Sequence, residues 1–373
     1  MTLTEGLKVS VEPARNRSDI ARLWQDLESR AEGPFFLSWD WIGSWLSALP
    51  QHIVPSLLCV STGDRTVGLG ILTRTDQRRH GVIHSQVLSL NQSGDAELDG
   101  IAIEHNDILV EHGLEADVTA AALAWLAREY RRWDEFNVSW ATTEVASRMT
   151  AARGPMPAPR AVDERPYFIV GLDEVRRSGG DYLATLSRNT RYQIRRAMKR
   201  YAEAGPVELS RAASIDEALE MLEQLRSLHE EHWKKRGEPG AFHDEFRQSF
   251  HRQLVSSCFA SGGVDLLRVS AGGEPFGYLY NFFHRGVVYN YQSGFRYTDD
   301  AKLKPGLVSH AVAIQDYLDR DVVAYDFLMG RHRYKQSLAN RTGAMARLIF
   351  QQPRLRFRLE NLMRDIKTRI QGS

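Results

Sequence analysis

The stretch Val264-Asp-Leu-Leu-Arg-Val-Ser270, Ala271-Gly-Gly-Glu274, Phe276-Gly-Tyr-Leu-Tyr-Asn-Phe-Phe-His284, Arg285-Gly286, Val287-Val-Tyr-Asn-Tyr-Gln-Ser293 reads as strand, turn, strand, turn, strand. Its apolar runs are rich in Val, Tyr and Phe, and glycine-bearing turns close each of them, so three strands fold back on one another as an antiparallel meander. Upstream lie a strand at 207–211 and apolar residues at helical spacing over 215–235 and 242–257. Downstream come a helix over 305–318, a strand over 323–328, a short helical stretch near Tyr334 and a strand over 346–351. This order is not the regular strand–helix alternation of a doubly wound sheet. It predicts an α+β fold with a mixed, largely antiparallel twisted sheet flanked by helices.

The first half of the chain repeats the order. A strand at 8–12 precedes helices over 19–30 and 38–49, then strands at 56–61, 67–73, 83–90 and 107–110, a helix over 117–131 and a strand over 136–140. Pro155, Pro157, Pro159, Pro166 and Gly154 interrupt the pattern and predict a linker or long crossing loop. The expected organisation is a domain over 1–150, a linker over 151–166, a second domain over 167–352 and a basic amphipathic helix over 353–373. In the second domain, 182–204 reads as one long basic helix.

The chain has 373 residues, 43% of them hydrophobic and 25% charged, the composition of an ordinary globular protein. Lys and Arg total 48 against 47 Asp and Glu, so no whole-protein field favours wrapping DNA. The two cysteines, Cys59 and Cys258, form neither a disulfide framework nor a thiolate metal site, which fits a reducing, cytoplasmic setting. The start of the chain lacks a secretory signal, and no run reaches the length of a membrane span. His229-Glu-Glu-His232 is spaced i, i+3 rather than the i, i+4 of a zincin helix, so no metal is expected. Neither a Gly-x-Ser-x-Gly elbow nor a Walker loop is present, which removes serine hydrolases and P-loop enzymes.

Three segments of the second half carry a resemblance. Leu186-Ser-Arg-Asn-Thr-Arg-Tyr-Gln-Ile-Arg-Arg196, Tyr289-Asn-Tyr-Gln-Ser-Gly-Phe295 with Pro305-Gly306, and Tyr325-Asp-Phe-Leu-Met-Gly330 with Tyr334-Lys335 together resemble the GNAT superfamily of acyltransferases. The tandem order is similar to the Fem aminoacyltransferases and the CelD-type acetyltransferases linked to exopolysaccharide production. The first half matches only in element order and in the Trp-rich entry Ser38-Trp-Asp-Trp-Ile42, which makes Trp39 a candidate acceptor contact. The resemblance implies two GNAT-like domains and transfer of an acyl group, acetyl first, from acyl-CoA to an amine on a small molecule or a sugar nucleotide. An alternative is Fem-like transfer from aminoacyl-tRNA to a peptidoglycan precursor. A non-catalytic accessory role in polysaccharide synthesis is the third reading.

Acyl transfer to an amine needs a seat for the donor, a base and a proton source for the leaving thiolate. Pro305 and Gly306 open a helix directly after Lys302 and Lys304, where free N–H groups and two ammonium groups could hold phosphate or simply be solvated. The superfamily's multi-glycine phosphate loop is replaced here by Ala301-Lys-Leu-Lys-Pro-Gly-Leu307, with one glycine. Asp326, at a strand end, is the first candidate base, with turn capping as the other reading, and His310 competes for the role. Tyr291 or Tyr334 would protonate the thiolate, and the resemblance places Gln292, Ser293 and Lys335 beside the donor. Arg188, Arg191 and Arg195 share one helix face, which either binds an anion (acceptor, donor phosphate or tRNA) or pairs with acids elsewhere. The basic C-terminal helix leaves contact with a membrane surface open.

Overall fold

The computed structural model describes residues 6–79, 83–101, 103–130, 132–320, 322–358 and 360. In chain order the elements begin β1 (Leu7–Pro13), α1 (Arg17–Glu28), α2 (Trp39–Ala48), β2 (Ser56–Thr62), β3 (Arg65–Arg79), β4 (Ile83–Leu90), β5 (Leu109–Val110), α3 (Glu115–Arg128), β6 (Glu135–Thr142) and α4 (Thr143–Ala152). They continue with β7 (Arg160–Gly171), α5 (Leu172–Arg177), α6 (Tyr182–Thr185), α7 (Arg188–Tyr201), β8 (Val207–Arg211), α8 (Ile215–Lys234), α9 (Glu245–Cys258) and β9 (Val264–Ala271). The chain closes with β10 (Glu274–His284), β11 (Val287–Phe295), α10 (Pro305–Leu318), β12 (Ala324–Met329), α11 (Arg333–Leu338) and β13 (Arg341–Gln351). Two compact units result, one from residues 1–43, 49–164 and 345–373, the other from 44–48 and 165–344.

Each unit has the same internal strand order. In the first it runs β1-β2-β3-β4-β6 with residues 345–351 of β13 at the end, and in the second β8-β9-β10-β11-β12-β7. Among the described residues, one ladder within each unit is parallel and the others within it are antiparallel: β4 pairs in parallel with β6 at Val87↔Glu135 to Ser89↔Asn137, and β11 with β12 at Val287↔Ala324 to Tyr289↔Asp326. Each parallel pair thus holds only over a short span, after which the strands separate. The strand leading away carries a two-against-one bulge in both units. Ser139 and Trp140 face Arg347 in one, Phe327 and Leu328 face Phe168 in the other. Trp140 and Leu328 sit in the left-handed region, at φ 57° and 61°, a conformation that costs a side-chain-bearing residue roughly 1–2 kcal/mol. The repeat seen in the sequence is therefore a repeat of backbone detail.

The first unit's core gathers Trp133, Phe136, Leu126, Met149 and Phe350, and the second's Tyr182, Ile314, Tyr317, Tyr325 and Phe327. Each such side chain contributes roughly 1.5–3 kcal/mol on burial. Glycines let α10 and α8 approach the second sheet. A Cβ at Gly277 would collide with Ser309 Oγ and lie 3.1 Å from its Cβ, and one at Gly294 would collide with the Leu225 carbonyl and lie 2.9 Å from Leu225 Cα.

Two expectations about secondary structure change, and a third falls mostly outside the described residues. The helix expected over 182–204 is two helices, because Ser187 is an N-cap whose Oγ accepts the Thr190 N–H (3.2 Å), which starts α7 afresh after an extended Leu186. The stretch expected as a linker over 151–166 holds the last two residues of α4, Ala151 and Ala152, at one end and the start of β7 at the other. Pro166 lies just before the β7–β12 ladder, which runs from Tyr167 onward. The C-terminal helix lies outside the described residues beyond its first turn, where Phe357 is buried and Arg354 and Arg356 both reach Asp134, at 2.8 and 2.6 Å. Among the described residues no helix is long and apolar enough to cross a membrane.

Candidate active site

The site is built from the start of α10 inward. Lys304 takes the left-handed conformation (φ 48°) and Pro305 occupies the first turn, so the chain turns sharply into the helix. Val308, Ala311, Ile314 and Leu318 press α10 onto the sheet, and this carries His310 into the interior with no exposed surface. The imidazole stacks on Tyr334 (5.4 Å between centroids, 14° between planes). It meets edge-on Phe327 of β12 at 5.1 Å and Phe295 of β11 at 5.7 Å. The ring therefore stands where the two parallel strands have separated. Nδ1 lies 3.1 Å from the Tyr325 hydroxyl, and Nε2 has no hydrogen-bond partner. Burial, reinforced by the Lys335 ammonium, pushes the imidazole's pKa down to about 3, so it is neutral at pH 7. In the tautomer protonated at Nδ1, that nitrogen donates to Tyr325 and the buried Nε2 carries the lone pair. Tyr334, whose hydroxyl burial holds far above its ordinary range, is a phenol beside it.

Asp326 does not join this group. Tyr325 and Phe327 both contact His310, and alternation along β12 turns Asp326 to the opposite face, where it is buried and its Oδ1 accepts the Leu328 N–H at 2.7 Å. The carboxylate secures the bulge, the capping role that a carboxylate one turn from its own backbone favours. Lys335 also departs from its expected place beside the donor. Its ammonium is buried against the carbonyls of Phe327 (2.6 Å), Met329 (2.7 Å) and Leu328 (3.4 Å), holding the same bulge from below.

The other candidates divide likewise. Tyr291 is the bulged residue where the β10–β11 register shifts, and its ring lies against His251 (4.9 Å) and Phe282 (5.0 Å), on the α9 side of the sheet rather than beside His310. Ser293 donates to Asn290 Oδ1 at 3.3 Å, and its carbonyl accepts from His229 Nδ1 at 3.2 Å. The donor there must be the imidazole, because His229 Nε2 already accepts the Ala241 N–H. Gln292 is half-buried in the same strand. Lys302 is exposed on the turn before α10, and Lys304, Pro305 and Gly306 follow it, with Gly306 under the Phe295 ring. Trp39 packs on α1 through Trp24 (6.4 Å) and across Gly43 of its own helix.

Along α7, Arg200 pairs with Asp300, and Arg191 donates to the Ala184 carbonyl at 3.0 Å. Arg196 lies over the Tyr192 ring at 5.4 Å. Among the described residues, Arg188, Arg191, Arg195, Arg196 and Lys199 meet no carboxylate.

A chain of polar groups that runs from the half-buried Arg211 to the buried Asn281 and Asn290, not foreseen from the sequence, fixes the bulge at Tyr291. Arg211 bonds Asp265 (2.8 Å) and Asp316 (2.7 Å), Asp265 accepts the Tyr317 hydroxyl (2.6 Å), Asn281 donates to Tyr317 (3.0 Å), and Asn290 donates to Asn281 (2.9 Å). The signal was present: two asparagines interrupt otherwise apolar strands.

Beyond Tyr289, β11 makes no ladder to β12, so its edge can hydrogen-bond an extended ligand while His310 and Tyr334 face the same gap. Residues 188–336 match the model of the acetyltransferase (GNAT) domain. No curated protein matches the chain in sequence. Among solved structures it is similar to FemX, with 8% identity over 94% of this chain and 99% of that one at a TM-score of 0.60. L-PGS from Bacillus licheniformis is similar at 12% identity, 95% and 97% coverage and a TM-score of 0.54. The C-terminal domain of a protein described as a lysylphosphatidylglycerol synthetase, from Agrobacterium fabrum, gives 10%, 91%, 93% and 0.54. At such identities the likeness is one of fold. Residues 188–336 thus match the acetyltransferase (GNAT) domain, in a chain whose fold is similar to those of FemX and L-PGS.

Proposed function

We propose that the second unit moves an acyl group, acetyl first, from acyl-CoA to a primary amine on a small or sugar-linked acceptor. The observation that carries this reading is a neutral, unpartnered His310 Nε2 in the gap between β11 and β12. The amine nitrogen attacks the thioester carbonyl, its proton passes to Nε2, the carbon–sulfur bond breaks, and the thiolate takes a proton from Tyr334 or water. The thioester oxygen is stabilised by N–H groups of the unladdered part of β11. Lys302, Lys304 and the first turn of α10 take the donor's phosphates. Asp326 and Lys335 act on the reaction only by shaping the bulge that carries Phe327.

A second reading has its own support. The α7 face without carboxylate partners, together with the one-glycine turn before α10, favours an aminoacyl-tRNA donor, as the resemblance to Fem enzymes implies. The name of the similar Agrobacterium fabrum protein, a lysylphosphatidylglycerol synthetase, supports this reading. Thermal unfolding of the full chain with acetyl-CoA, longer acyl-CoAs or charged tRNA separates the two. A ligand at a hundred times its Kd adds about 2.7 kcal/mol, which raises Tm by several degrees. Stabilisation by an acyl-CoA is expected. Stabilisation by tRNA alone selects the second reading, and none by either supports the non-catalytic one.

A further inference from the structure

The first unit holds a cleft of about 600 Å³ that the transfer chemistry does not use, between the C-terminal end of α3 and the face of β2, β3 and β4. This is the size of a site for a small metabolite. Its floor is Leu72 and Leu88, both almost fully buried, and Arg74 stands directly across from Leu88 in the β3–β4 ladder. Alternation places Leu72 and Arg74 on one face, so an apolar floor ends in a guanidinium. Glu129, Tyr130 and Arg132 form the wall at the end of α3, and the Tyr130 ring is held rigid against Trp125 (5.9 Å, 22°).

The cations of this cleft differ from the other arginines of the unit. Arg30 and Arg65 share Glu111, Arg148 meets Asp107, and Arg354 and Arg356 meet Asp134. Among the described residues, the side chains of Arg74 and Arg132 make neither an ion pair nor a hydrogen bond. Two unengaged guanidinium forks bordering an apolar floor fit a phosphate attached to a body with a C–H face. Glu129 adds an acceptor for hydroxyl donors on that body, and Tyr130 a ring to pack on it. We infer that this cleft binds a small phosphorylated polyol, a sugar phosphate in chemical class, independently of the acyl donor.

The test is calorimetry on the full chain with a panel of hexose 1-phosphates and 6-phosphates, with glucose and inorganic phosphate as controls. At least one sugar phosphate should bind saturably, more tightly than either control, and more weakly as salt rises. Arg74→Ala and Arg132→Ala should each weaken it by tenfold or more. Both residues are exposed, so the variants should keep the wild-type circular dichroism and the wild-type response to acetyl-CoA. That response separates failure here from failure of the acyltransferase reading. No binding across the panel, inorganic phosphate binding as tightly as every sugar phosphate, or undiminished binding in the double variant overturns the inference.

Discussion

His251 offers a sharp test of how the second unit tolerates buried titratable groups. It lies on α9 with its ring against Phe250 (5.0 Å), Phe242 (5.4 Å), Tyr280 (5.7 Å) and Tyr291 (4.9 Å), and neither nitrogen has a hydrogen-bond partner. Burial, with the Arg247 guanidinium adding to it, lowers its pKa from 6.5 to about 3. Between those values the unfolded chain holds a proton that the native state does not, so stability falls as pH drops through that window and is unaffected above 6.5. At pH 5 the loss is about 1.5 × 1.36, or roughly 2 kcal/mol. His310, lowered to about 3 as well, adds a similar amount, and it sits on the other face of the sheet, so the two should be close to additive. Replacing His251 with Leu keeps the volume and removes two unsatisfied nitrogens from an aromatic shell, so stability at pH 7 should be unchanged or higher. In urea unfolding at pH 7 and pH 5, the variant should lose about 2 kcal/mol less than the wild type between the two pH values. An equal loss in both proteins refutes the reasoning, because it means that His251 takes up its proton in the native state.

Gly294→Ala should destabilise the second unit by about 1–3 kcal/mol in the same assay, since the new methyl group meets the backbone of Leu225 rather than a side chain able to swing away. Ser187→Ala removes the cap of α7 and should cost about 1 kcal/mol, with wild-type stability in that variant showing that Thr190 finds another acceptor. Lys302→Ala with Lys304→Ala should weaken acyl-CoA binding in calorimetry by about tenfold or more while leaving the circular dichroism unchanged. Unaltered affinity would move the phosphates to Arg191 and Arg195.

The fold was readable because β-meanders and amphipathic helices write their period into consecutive residues. Val207–Arg211 and Pro305–Leu318 were located to the residue for this reason. The break at Leu186 and Ser187 was not, since both flanking turns are helical in pattern and only the hydroxyl's bond to Thr190 separates them. At the site, His310 and Tyr334 were legible as residue types, but their stacking depends on α10 and α11 meeting over separated strands, which no local spacing encodes. Asp326 illustrates the converse. A carboxylate at a strand end looks the same in sequence whether it faces a substrate or its own backbone, and the bond to Leu328 decides it. Lys335 likewise stands beside the donor by resemblance until three carbonyls are seen around it.

The most direct test of the central claim is thiol release from acetyl-CoA across a panel of primary amines, measured for the wild type, His310→Gln and Asp326→Asn at equal folded fraction. The account predicts amine-dependent release by the wild type, a fall of about 10²–10⁴-fold in His310→Gln with partial recovery at high pH, and near-normal turnover in Asp326→Asn, where the amide oxygen still accepts the Leu328 N–H. A collapse confined to Asp326→Asn, with His310→Gln as active as the wild type, contradicts it and returns the proton to the carboxylate.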